Sequence, residues 1–573
     1  MPTAYDDLLR QKFPLIAERD LARLVKDYGA NTLALVEAVI QNDLVPLGDA
    51  CRLWSEYLGV AYIDPINTVI SPEAIGLMPA EIARKAQVLP LYVVEGVMSV
   101  AMADPLDKDL CRRLEGITGL RVSALFSLPA EIRDAIELHY SSDKDIEAII
   151  KEMESAGEVL SLRLTPAELE LLAESKSLIR IVDSLIYFAL RERASDIHIE
   201  PQAVATRVRL RVDGSLEEIL RFPKVLHRPI VSRIKILCDL NISEARYPQD
   251  GHFSFLLGSK KIDFRVSFLP TIKGEKCVVR ILGTVGNKGV LTLDKMLISQ
   301  TILQPLQRVI QAPNGIVFVT GPTGSGKTTT LYAALALVNA GNLNLSTIED
   351  PVEIEMPGLT QSQVNNHIDL KFGLLLRAML RQDPDIILVG EIRDLETAKI
   401  ACEAALTGHL VFATLHTNNA LQAIPRLMEL GVEAYAVAPA ILAVLAQRLA
   451  GRICERCKES YLPSPELLAR YFTGTEGPPP LFYVGKGCDV CRRRGYKGRI
   501  AFHELAIITE EMRGIIGRGG NIDLLADSAK RAGYQPLRYD GLKKVLLGLT
   551  TIQEVEANAP FEWAAVDVKP GTG

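Results

Sequence analysis

The chain has 573 residues, enough for roughly three or four domains, and its 48% hydrophobic and 23% charged content is that of an ordinary globular protein. A formal net charge of −6 excludes a global basic footprint for nucleic acid and leaves only a local basic groove open. The best apolar run, residues 434–446, has 13 residues and contains Pro439, well short of the ~20 that cross a bilayer. No membrane span is expected, and the run predicts a buried helix.

Residues 1–13 (MPTAYDDLLRQKF) lack the apolar core of a secretory signal, so a cytoplasmic location is expected. Residues 1–140 mix helical periodicity with short strands at 87–94 (QVLPLYVV) and 98–103 (MSVAMA), which predicts an N-terminal α+β extension. From 141 to 175 the composition turns charged and helical, with DKDIEAIIKEMESAGE and then PAELELLAESK. This stretch reads as a linker, the alternative being one long surface helix inside a domain.

Residues 176–285 form a second segment, opened by an amphipathic helix over 178–193 and followed by DIHIE (196–200) and TRVRLRVDG (206–214). On a strand, Arg207, Arg209 and Arg211 project from one face while the apolar residues between them face the other way. Three guanidinium groups on one face repel each other unless an anion lies nearby. They form either a solvated strand face or a set aimed at a nucleotide phosphate, and the pattern leaves both open.

The segment 286–573 carries the most specific motif. Gly321, Pro322, Thr323, Gly324, Ser325, Gly326, Lys327 and Thr328 read G-P-T-G-S-G-K-T between the apolar run 316–319 and a helical stretch that begins at Thr329. Glycines let backbone N–H groups wrap phosphates, and the helix N-terminus adds positive potential. Lys327 is expected to reach the β- and γ-phosphates of ATP or GTP, and the Thr328 hydroxyl to sit on Mg²⁺; Thr329 completes the contact set.

Three further stretches surround this loop. STIEDPVE (346–353) and DIILVGE (385–391) put carboxylates after short apolar strands, where they face the phosphate crevice of a parallel sheet. Gly390 stands where a Walker B strand has its metal-binding aspartate, which makes Glu391 the group expected to polarise the attacking water; the alternative is a solvated carboxylate at a strand end. His409 and His416 bracket the run 410–415 and point to a nucleotide sensor, against the alternative of satisfied core histidines.

Of nine cysteines, five are scattered, and four form C-x2-C, a 30-residue gap and C-x2-C: Cys454, Cys457, Cys488 and Cys491. Two such turns supply the four thiolates of a tetrahedral Zn²⁺, a reading preferred to disulfides or an iron–sulfur cluster. Without an open ligand position the site is structural, in a subdomain spanning 452–500.

These stretches, in this order, resemble the assembly and secretion ATPases of type II secretion and type IV pilus machines, the GspE and PilB family. The resemblance runs from about 175 to about 555 and includes ASDIHIEP (194–201), RLRVDG (209–214), PQDG (248–251), DFRVSFLPT (263–271), RAMLRQDPDIILVGEIRD (377–394) and LTGHLVFATLHTNNA (406–420). It implies an α/β fold: a RecA-like P-loop domain over 286–573, a PAS-like α+β domain over 176–285 supplying arginines, the zinc subdomain and the N-terminal extension. It also implies a homo-hexamer that hydrolyses ATP with Mg²⁺. Residue by residue, Glu391 matches the catalytic glutamate, Glu353 the aspartate-box carboxylate and His416 the histidine-box residue. Arg209 and Arg211 match arginines that reach ATP, Arg377 and Arg381 match basic residues near the phosphates, and His409 is grouped with the ATP-binding residues.

The zinc module and the long extension favour assembly or secretion motors over retraction motors. Residues 1–60 lack the R-L-G motif through which some relatives bind cyclic di-GMP, so the extension is read as docking onto the cytoplasmic domain of an inner-membrane protein, with indirect attachment to the membrane. Two other classes stay open: a nucleic-acid motor, for which Arg492, Arg493 and Arg494 are the thin support, and a nucleotide-binding subunit without turnover.

Overall fold

The computed structural model describes the chain except residues 1–4, 15, 29–31, 142, 156–164, 259, 283–290, 340, 366–367, 473–478 and 560–573. Two compact units divide it, residues 1–287 and 288–573.

In the first unit, helices Tyr5–Lys12, Glu18–Tyr28, Thr32–Gln41 and Leu47–Leu58 enclose a small core in which Tyr5 meets Trp54 edge to face at 5.2 Å. A three-stranded sheet follows, with β1 (Val88–Val94) antiparallel to β2 (Val97–Met102) and β2 parallel to β3 (Arg121–Phe126). The expected extension is thus a helical cluster followed by an α/β piece.

The stretch expected to be a linker contains two packed helices. Asp143–Ser155 buries Ile146, Ile149, Ile150 and Met153, a helical stripe that joins the main core of the unit. Pro166–Ala173 opens on a capping box between Thr165 and Glu168 and buries Leu169 and Ala173. A charged composition masked this, because four apolar residues at the right spacing suffice to bury one face.

Residues 196–282 form an antiparallel six-stranded sheet in the order β6-β5-β4-β9-β8-β7: β4 Asp196–Pro201, β5 Ala205–Val212, β6 Ser215–Pro223, β7 Gln249–Leu257, β8 Lys260–Thr271 and β9 Gly274–Leu282. Helices Lys176–Arg191 and His227–Leu237 contribute to the same core. The Asp213-Gly214 pair takes positive φ at both residues, closing the hairpin in which Val212 faces Ser215.

The second unit is built on a seven-stranded sheet in the order β12-β11-β13-β14-β10-β15-β18: β10 Gly315–Thr320, β11 Leu345–Glu349, β12 Leu359–Gln363, β13 Ile386–Val389, β14 Leu410–Leu415, β15 Ile441–Ile453 and β18 Tyr496–Ile507. All neighbours are parallel except β15 and β18. β10, β11, β13 and β14 are buried at every residue, which is why β10, β13 and β14 read as largely apolar runs, while β11 carries the buried polar residues Ser346, Thr347 and Glu349. A small hairpin, β16 (Lys458–Tyr461) and β17 (Phe482–Gly485), lies between β15 and β18 in sequence.

The run 434–446 is half helix and half strand. Helix Ala434–Ala440 stops just past Pro439, and β15 begins at Ile441 between β10 and β18. Short apolar runs are alike in buried helices and buried strands, so pairing with β10 decided the matter. Among the described residues no helix is long and apolar enough to cross a membrane.

Candidate active site and metal centre

β10 delivers the glycine-rich loop to one edge of the sheet, and helix Lys327–Val338 leaves it. Gly321, Gly324 and Gly326 all have positive φ (145°, 78° and 89°). At Gly321 a Cβ would lie 2.4 Å from the Gln447 carbonyl oxygen, so glycine is required there for close approach as well as for conformation. Lys327 Nζ donates to the carbonyls of Gly321 and Pro322 at 2.9 and 3.0 Å, arching over the loop. Burial lowers its pKa, and the nearby Glu391 carboxylate opposes that shift.

The strand order brings the acid and one histidine to this edge. β14 lies between β10 and β13, so Glu391, just after β13, and His416, just after β14, stand at neighbouring strand ends. His416 Nε2 is 3.7 Å from Glu391 Oε2, and Arg393 reaches Glu391 Oε1 at 2.6 Å. Burial, and then the Lys327 charge, lower the His416 pKa, and the Glu391 carboxylate opposes that shift. Gly390 is set between two backbones: its N–H donates to the Ile348 carbonyl at 2.8 Å, and a Cβ would lie 3.0 Å from that oxygen. A side chain at this position would press on the β11 backbone, which would have to give by a few tenths of an ångström, so the fit favours glycine and Glu391 is the first acid after β13.

The two histidines separate. His409 precedes β14 at the far end of the sheet, where its carbonyl accepts from the N–H of Gly315, the first residue of β10. Its Nδ1 lies 2.9 Å from the Ala404 carbonyl oxygen. The six residues of β10 span about 20 Å at ~3.3 Å each, so within its own chain His409 lies at the opposite end of the strands from the loop, and the structure does not bring it together with Lys327, Glu391 and His416.

Glu353 is exposed beyond β11, with its backbone hydrogen-bonded at the Tyr332 hydroxyl. The buried acid of that stretch is Glu349, which accepts from Tyr332 on the loop helix at 2.5 Å and from Thr347 at 2.6 Å. Arg377 pairs with Glu396 at 2.9 Å, and Arg381 donates to the Arg377 carbonyl at 2.8 Å.

The arginine row has its anions in the adjacent strand. Across the β4–β5 register Arg211 faces Asp196, Arg209 faces His198 and Arg207 faces Glu200. Glu200 accepts from Arg209 at 2.6 Å and Arg207 at 2.8 Å, with Lys276 at 3.1 Å. Burial alone would raise its pKa, but these three cations hold it down at about 2. Arg211 lies 3.4 Å from Asp196 and donates to the Gly214 carbonyl at 3.0 Å.

Missed by motif reading was Gln447 on β15, whose amide bonds Ser325 and Thr330. The available signal was the polar pair Gln447-Arg448 inside the apolar run ILAVLAQRLA.

The four cysteines converge between the end of β15 and the start of β18. All four sulfurs lie within 4.8 Å of one another, with Cys454–Cys488 at 3.9 Å, Cys457–Cys491 at 3.7 Å and Cys488–Cys491 at 3.7 Å. A tetrahedral ion with metal–sulfur bonds of about 2.3 Å sets sulfurs about 3.8 Å apart, whereas a disulfide needs about 2.05 Å. N–H groups of Gly487, Cys488 and Gly495 point at Cys457 and Cys491 Sγ at 3.2–3.3 Å, as charged thiolates require. The donor set therefore fits a tetrahedral metal.

Phosphate-loop nucleotide-binding proteins are the class that this parallel sheet and its loop define. Within that class, the chain belongs to the type II/IV secretion system protein family, which matches residues 172–557. The MshEN domain family matches residues 58–146, running past the boundary expected at 140. Among curated proteins, the type IV pilus assembly ATPase PilB of Myxococcus xanthus is 37% identical over 95% of this chain and 97% of its own. PilB of Thermus thermophilus is 41% identical over 87% of this chain, which spans only 56% of that protein's length. Type II secretion system protein E of Dickeya dadantii is 40% identical over 86% of this chain and 98% of its own.

Proposed function

We propose that this chain hydrolyses ATP, with Mg²⁺, to drive assembly of a type IV pilus or a type II secretion pseudopilus. The observation that carries the reading is the convergence of Lys327, Glu391 and His416 at one edge of the sheet, in a chain whose family includes such ATPases.

In this reading the loop Gly321 to Thr329 receives the phosphates, Lys327 leaves its carbonyl partners for them, and the Thr328 hydroxyl ligates Mg²⁺. Glu391 orients the attacking water, with Arg393 fixing one carboxylate oxygen and His416 beside the other. Glu353 supplies the aspartate-box carboxylate, Arg377 and Arg381 serve the phosphates after release from their resting contacts, and Arg209 and Arg211 must likewise exchange a carboxylate for a phosphate. The six-stranded domain is PAS-like, the seven-stranded one RecA-like, and the cysteine cluster holds a structural Zn²⁺. The working form is a cytoplasmic homo-hexamer, attached to the inner membrane through residues 1–140 and the cytoplasmic domain of a membrane protein.

Phosphate release by the purified full chain with Mg²⁺ and its membrane partner, together with its mass in solution, tests this. A ring-sized assembly with ATP-dependent release is expected; an assembled ring without release overturns the reading.

A further inference from the structure

We propose that Gln447 is a positioning residue for nucleotide binding, holding the glycine-rich loop in its phosphate-receiving shape from the neighbouring strand. The inference rests on the nucleotide-binding reading above and adds a residue outside the G-P-T-G-S-G-K-T motif.

Gln447 is 1% exposed, so its amide must find partners inside the protein or be left unsatisfied at a cost. Both ends find them on the loop and its helix: Nε2 donates to the Ser325 carbonyl at 2.7 Å, and Oε1 accepts from the Thr330 hydroxyl at 2.7 Å. The same residue shapes the loop sterically. Its carbonyl oxygen occupies the space beside Gly321, and its Nε2 would lie 3.1 Å from a Cβ on Gly326. Gln447 thus touches the loop at its first glycine, its last glycine and the carbonyl between them.

The consequence for phosphate follows from peptide planarity. In a trans peptide the C=O and the following N–H point in opposite directions. Drawing the Ser325 carbonyl toward Gln447 turns the Gly326 N–H away from β15, toward the inside of the loop where a phosphate oxygen is received. A side-chain amide satisfies both partners, its N–H donating to the Ser325 carbonyl and its oxygen accepting from the Thr330 hydroxyl. Ionised glutamate has no proton for the Ser325 carbonyl, and methionine serves neither.

The test is titration of the full chain with Mg²⁺ and a fluorescent N-methylanthraniloyl-ADP, for wild type, Gln447→Met, Gln447→Glu and Thr330→Val, alongside thermal unfolding. Gln447→Met is expected to weaken binding roughly tenfold to a hundredfold and Thr330→Val by less. Gln447→Glu is expected to bind weakly at pH 8 and to recover toward wild type, compared at the same pH, as the pH falls to 6. Burial raises the glutamic acid pKa, and the protonated form regains a donor for Ser325. The unfolding temperatures separate this from a merely structural role, which would make the affinity follow the folded fraction; here the recovery is expected with the variant fully folded at both pH values. Binding within twofold of wild type in Gln447→Met, or a Gln447→Glu to wild-type ratio independent of pH, overturns the proposal. Should Gln447→Met fail to fold, the pH ratio decides; failure of wild type to bind nucleotide overturns instead the reading of the loop.

Discussion

The backbone N–H of Thr417 donates to the Thr320 hydroxyl at 2.9 Å, so the residue that ends β10 also holds the residue that follows His416. That hydroxyl in turn lies 3.0 Å from the Leu415 carbonyl, to which it donates. The start of the phosphate loop and the histidine turn are therefore tied at one buried atom.

Thr320→Val keeps the shape and removes that atom, leaving the Thr417 N–H without its acceptor. A loss of about 1–3 kcal/mol in stability is expected, with ATP turnover falling roughly tenfold as His416 loses its setting. Calorimetry and phosphate release measure the two effects, and Thr320→Ser should restore both. Unchanged turnover in the valine variant would show that the tie does not serve the site.

Glu391→Gln retains the size of the side chain and removes its charge and basicity. Turnover should drop by roughly 10²–10⁴-fold, while ADP affinity stays within a few-fold because phosphate binding belongs to the loop. Equal losses of affinity and turnover would assign Glu391 to binding instead of water activation.

One Zn²⁺ per chain is expected by elemental analysis, and Co²⁺ exchanged into the site should give the visible bands of a tetrahedral thiolate centre. Cys488→Ser should lose the metal and lower the apparent unfolding temperature by several degrees, since β15 and β18 are joined through this cluster. Full retention of metal in that variant would falsify the assignment of ligands.

Acid stability gives a test of the arginine row. Glu200 is held at about 2 in the folded chain against an ordinary 4.5, so its contribution is present above 4.5 and is lost as pH falls toward 2. Buried His503, depressed to about 3 from 6.5, acts in the same sense, because the unfolded chain takes up its proton first; that loss begins as pH drops below 6.5. Glu200→Gln removes the carboxylate that Arg207, Arg209 and Lys276 share. It should cost about 1–2 kcal/mol at neutral pH, since the cations are partly solvated, and flatten only the part of the acid profile below 4.5. Denaturant titrations at stepped pH read this, and an unaltered slope there would remove Glu200 from the account.

Legibility in the sequence followed distance along the chain. The loop from Gly321 to Thr328 was readable because eight consecutive residues set its backbone, and the strand of Arg207, Arg209 and Arg211 because alternation is a property of neighbours. The partner of that row was not, since Glu200 meets it only through the β4–β5 register. His409 and His416 looked equivalent at the two ends of one strand, and only strand direction separates them. The charged stretch 141–175 hid a buried stripe, because the helices that cover Ile146 and Ile150 lie elsewhere in the sequence.

By itself the sequence determined the phosphate loop, the acid after β13 and the cysteine quartet, each specified by contiguous residue types whose conformations and ligand chemistry are local. The tertiary structure alone decided which groups hold those parts in place: Gln447 behind the loop, Thr320 against Thr417, Glu200 beneath the arginines, and β14 set between β10 and β13. Each of these depends on which strands pair and in what register, a choice made by burial of whole faces across long sequence separations.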